Sequence, residues 1–76
     1  MDNLLFKFRD VEIWKRNERY FIRYDAGGHV DVMREDEITE GDALKASVNE
    51  EAAIQFLFVL KERLISEGVD PYVSNV

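Results

Sequence analysis

The chain has 76 residues, no cysteine, a single histidine and a formal net charge of −6. That length fits one small domain, 1–76, and the missing thiols exclude a disulfide framework and a thiolate metal site. A hydrophobic content of 46% argues against disorder, while no run approaches the ~20 apolar residues of a membrane span and the first residues lack a signal-peptide pattern.

The charge is unevenly spread. Residues 1–24 carry six Lys/Arg against four acids, residues 25–51 carry nine acids against Arg34 and Lys45, and residues 52–76 carry three acids against two bases. An acidic whole disfavours general affinity for nucleic acid, whose phosphates supply most of such binding. No cofactor, no metal and no membrane partner are expected, and the absence of cysteine suits a reducing cytoplasm.

From the N-terminus, LLFKF alternates with Leu4, Phe6 and Phe8 in phase. Val11 and Ile13 fall out of that phase, which implies a bulge or turn near Arg9-Asp10. VEIWKR (11–16) and RYFIRY (19–24) read as a hairpin closed by Asn17-Glu18. That turn sets Ile13 against Ile22 and Trp14 against Phe21. A three-residue loop, Asp25-Ala26-Gly27, would then place Val30 opposite Ile22 and Val32 opposite Tyr20, extending the apolar face. The meander spans about 4–35, with three antiparallel strands and a fourth if LLFKF pairs.

Thr39 with Asp42 reads as the cap of a short helix over about 40–46, with Ile38 and Ala43 as a hydrophobic staple. Ser47 with Glu50 reads as a second capping box, opening a long helix over about 48–67. Gly68 fits the left-handed position after its end, and Asp70-Pro71 prevents continuation into the tail, 69–76. The fold class is α+β: an antiparallel meander followed by a short helix and a long C-terminal helix packed on one sheet face.

The long helix is too apolar for a single contact. At about 100° per residue, Ala53, Leu57, Leu60 and Leu64 form one stripe with Phe56 on its flank. Ile54, Phe58 and Ile65 form a second stripe, and Lys61 lies between the two. The apolar arc exceeds the roughly 100° that one surface contact requires. One explanation covers the second stripe with LLFKF and the short helix. The other pairs the helix with a second copy, with Phe56, Val59, Leu60 and Arg63 as interface candidates and Lys61 reaching solvent or an acid such as Glu37.

The outer sheet face offers a second candidate surface: Trp14, Arg16, Arg19, Phe21, Arg23 and Met33, with Glu12, His29 and Asp31 among them. Its arginines and aromatics match, in composition, a stacking platform for single-stranded nucleic acid. The competing reading is a solvated face held by cross-strand pairs.

Catalytic readings are weak. His29 and Asp31 lack a nucleophile nearby in sequence, and the run EDEITEGD fails the calcium-loop pattern because Ile38 would occupy a ligand position. The favoured expectation is a non-catalytic protein–protein interaction module, homodimeric through the long helix. The alternatives are a nucleic-acid-associated factor using the Arg/Trp/Phe sheet face, and an acidic inhibitor of the immunity-protein type that blocks the basic active site of a protein partner.

Overall fold

The computed structural model describes residues 2–25 and 33–73. One sheet, in the order β1-β2-β3-β4, is built from β1 (Asp2–Phe8), β2 (Val11–Arg16), β3 (Arg19–Asp25) and β4 (Met33–Ile38), all neighbours antiparallel. The helices α1 (Glu40–Ala46) and α2 (Glu50–Ser66) follow. This is the α+β arrangement read from the pattern, with LLFKF supplying the fourth strand.

The β2–β3 hairpin has the expected register, with Ile13 opposite Ile22, Trp14 opposite Phe21 and Arg16 opposite Arg19. Asn17 (φ 53°) and Glu18 (φ 66°) both take the left-handed conformation that matches a two-residue turn to strand twist. The β1–β2 turn at Arg9-Asp10 is as short, pairing Phe8 with Val11, and Arg9 is left-handed (φ 53°). A two-residue turn carries even positions of β1 onto the face of odd positions of β2, which explains the phase change. An irregularity between Leu4 and Phe6 then turns Leu4 to the Trp14 side, while Phe6 and Phe8 face the helices.

The β3–β4 register differs from the expected one. Tyr20 pairs with Ile38, Ile22 with Asp36 and Tyr24 with Arg34, six residues further along the chain than a three-residue loop would give. Val30 and Val32, expected opposite Ile22 and Tyr20 respectively, lie outside the described residues. Arg34 and Asp36 therefore take the helix-facing positions reserved for valines. Arg34 is 6% exposed. Its Nε and Nη2 donate to Asp36 Oδ2 and Oδ1 at 2.9 and 3.0 Å, and the Tyr24 hydroxyl donates to Asp36 Oδ2 at 2.8 Å. Arg34 Nη1 also donates to the backbone oxygens of Asp70 and Val73, at 3.3 and 3.0 Å. Every charged group in the cluster has a partner, which is the condition for burying it. Burial, followed by the Asp36 contact, raises the Tyr24 hydroxyl far above its ordinary pKa, so it remains a donor.

Thr39 caps α1 as expected, its Oγ1 accepting from Asp42 N at 3.1 Å. The second cap is corrected. Asn49 Oδ1 accepts from Ala52 N at 2.8 Å and starts α2, whereas Ser47 ends α1 and its hydroxyl donates to Ala43 O. At the far end Gly68 (φ 82°) donates to Ile65 O and Val69 N donates to Leu64 O at 2.8 Å, the paired closure expected of a glycine after a helix. The core joins Val11, Ile13, Tyr20, Ile22, Tyr24 and Ile38 of the sheet side to Ala43, Ala46, Phe56 and Leu60 of the helices.

Two stability predictions follow from this geometry. Glu18→Gly removes a left-handed penalty of roughly 1–2 kcal/mol at the cost of some chain entropy, so a rise of about 0.5–1 kcal/mol is expected in urea denaturation. Asp36→Leu strands a buried guanidinium and should cost about 3–5 kcal/mol, whereas the double variant with Arg34→Met should recover much of that loss. A single variant as stable as the parent would contradict the buried-pair assignment.

Candidate functional site

The surface of α2 carries the unsatisfied apolar groups. Its buried residues are Ala53, Phe56 and Leu60, with Leu57 and Leu64 half-buried against the core. Phe56 is 8% and Leu60 3% exposed, so both interface candidates belong to the chain's own core, and the expectation that Phe56 lies outside it is corrected. The reason is the small size of α1's contribution. It buries Ala43 and Ala46, both fully enclosed, and such short side chains leave room for the Phe56 ring. Arg63 and Asp42 approach at 3.8 Å between the two helices. An open groove of about 240 Å³ there is lined by Asp42, Lys45, Gln55, Phe56, Val59 and Arg63. Val59 is half exposed and Arg63 exposed, on the groove side.

The excess lies on the opposite flank. Ile54, Phe58 and Ile65 are 52%, 65% and 57% exposed, although a packed helix normally hides residues of this type. These are the second stripe of the sequence pattern, and they were absent from the interface candidates. Their 4-, 7- and 11-residue separations put them on one line. Choosing between the two stripes needed the position of α1, which the periodicity of α2 does not encode. Lys61, between the stripes, does not reach Glu37. Its ammonium lies 5.8 Å from the Tyr24 ring centroid and 5.1 Å from that of Tyr72, while Glu37 pairs with Arg19.

The outer sheet face brings Trp14, Arg16, Arg19, Phe21, Arg23 and Met33 together, as the alternation requires. Two of its three arginines, Arg16 and Arg19, are engaged within the chain. Arg16 Nη2 donates to Glu35 Oε1 at 2.9 Å and Arg16 Nε lies 3.1 Å from Asp2 Oδ2. Arg19 Nε donates to Glu37 Oε2 at 3.0 Å. Hydrogen bonding to Glu35 and to Glu37 raises the Arg16 and Arg19 pKa values, and the Arg19 contact holds Glu37 below the ordinary carboxyl range. The guanidinium carbons of Arg16 and Arg19 lie 4.8 and 5.6 Å from the Phe21 ring centroid. Trp14 Nε1 donates to Glu12 at 3.0 Å. Arg23 stands between Glu12 and Glu35 in the cross-strand register, and Met33 is paired with Asp25 at the strand end. Phosphates or bases would have to displace these contacts.

The acidic run is similarly occupied. Glu35, Asp36, Glu37 and Glu40 contact Arg16, Arg34, Arg19 and the Tyr20 hydroxyl, the last at 2.8 Å. His29 and Asp31 lie outside the described residues. Among the described residues no group of three or more His, Cys, Asp or Glu could hold a metal ion, and no helix is long and apolar enough to cross a membrane.

Fold and surface together define a small α+β domain whose four-stranded sheet is covered on one face by two helices. No protein family matches the chain, and neither a curated protein nor a solved structure matches it.

Substitution separates the two phenylalanines. Phe56→Ala should cost about 3–5 kcal/mol, as for other buried rings, whereas Phe58→Ala should stay within about 0.5 kcal/mol. Chemical denaturation at low protein concentration measures both, and equal losses would contradict the placement of Phe56 in the core and Phe58 at the surface.

Proposed function

We propose that this protein is a non-catalytic interaction module that pairs with a second copy of itself through the exposed stripe of α2. The observation that carries the reading is the exposure of Ile54, Phe58 and Ile65 on one line of the same helix. With Tyr72, 55% exposed beside Lys61, these side chains offer on the order of 400 Å² of apolar surface, within the size range of patches that mark contact sites. Two such patches face to face bury about 800 Å² before any rim is counted, below the ~1,200 Å² of stable specific interfaces. The pairing is therefore weak, with dissociation in the micromolar range or above.

The sheet face supports the alternatives less well, because Arg16 and Arg19 already contact Glu35 and Glu37 of the acidic run. A group whose charge is met within the chain gains little from a partner, whereas exposed isoleucine and phenylalanine gain by leaving water.

Sedimentation equilibrium from about 5 to 500 μM, a range bracketing the weak association expected for so small an interface, tests the reading. Dimer should accumulate with concentration, and Phe58→Glu should remain monomeric with an unchanged circular dichroism spectrum and melting temperature. A parent protein that stays monomeric throughout would reject it.

A further inference from the structure

The exposed stripe also constrains how two copies would meet. Including Lys61, its positions are 54, 58, 61 and 65, a 4-3-4 spacing that matches alternate seam positions of a heptad. The spacing reads the same in both directions. An antiparallel partner related by a two-fold axis midway between 59 and 60 thus sets Ile54 of each copy against Ile65 of the other, and Phe58 against Lys61. We infer that α2 forms a two-fold antiparallel pair in this register. The inference rests on the dimer reading above.

Two features on the helix favour this arrangement over a parallel one. A parallel pair would stack Lys61 on Lys61, placing like charges in one seam layer. The antiparallel register instead sets each Lys61 over the partner's Phe58 ring, extending the aromatic contacts Lys61 already makes with Tyr24 and Tyr72. It also places Glu62 beside the partner's Gln55 at the seam margin, a donor–acceptor match that a parallel pair lacks.

The chain has no native cysteine, so single substitutions report the register cleanly. Ile54→Cys and Ile65→Cys lie at exposed positions and should leave the spectrum and melting temperature unchanged. Each variant alone, and an equimolar mixture, would be treated with a short bis-maleimide cross-linker at a concentration where sedimentation shows dimer. The mixture should give cross-linked I54C–I65C dimer, and each variant alone at least tenfold less, because in the antiparallel pair like positions lie about 16 Å apart along the axis. Efficient cross-linking of I54C to itself would establish a parallel pair and overturn the inference while leaving the dimer intact. Dimer by sedimentation with no cross-link in any sample would place the interface elsewhere. Absence of dimer would overturn both readings.

Discussion

The cluster of Tyr24, Arg34 and Asp36 is the constraint on which the rest of the fold depends. It places two charged residues on the helix-facing side of β4, where the neighbouring strand β3 presents Ile22 and Tyr24. A slip of one residue would turn Arg34 and Asp36 out and bring Glu35 and Glu37 in. Those glutamates would leave Arg16 and Arg19 and enter a core with no cation placed to receive them. The register is thus fixed from both faces. The same guanidinium reaches the backbone oxygens of Asp70 and Val73, so the sheet also anchors the chain beyond α2 and sets Tyr72 beside Lys61.

That anchoring explains why the second stripe of α2 stays uncovered among the described residues. The segment after the Gly68 turn bends toward β4 and buries Pro71, away from a path that would lie along Phe58. On the other flank, α1 spends its two enclosed alanines on the Phe56 side. Among the described residues, α1 and the segment after Gly68 leave part of this 17-residue helix, apolar around more than half its circumference, without cover.

Much of this was legible in the sequence, and the exceptions have physical causes. The β2–β3 hairpin was readable because Val11, Ile13, Tyr20, Ile22 and Tyr24 alternate cleanly and Asn17-Glu18 fixes the loop length. Thr39, Gly68 and Pro71 mark boundaries through local chemistry that tertiary contacts did not override. The position of β4 was not readable from MREDEI, which carries four consecutive charged residues and gives neither face a hydrophobic signal. Pattern reasoning moved to the nearby valines instead. Ser47 and Asn49 are both competent caps two residues apart, and only the end of α1 decides between them. Phe56 and Leu60 read as interface residues for a related reason: an angular map finds two apolar stripes but carries no information on which side a neighbour lies.

The sheet face and the helix face differ in what remains for a partner to provide. On the sheet, Arg16, Arg19 and Trp14 meet acids of the same chain, and an incoming group must break one contact to make another. On α2, the exposed apolar surface has only water to lose, so a modest patch can drive pairing. Lys61 then acts in selection more than in affinity. A fourth apolar residue at that position would widen the stripe and let it pair in several registers. A cation there weakens association but penalises every alignment that sets lysine against lysine, as single polar seam residues do in coiled coils. In the proposed pair, the residue that interrupts the apolar run is the one that decides how the run is read.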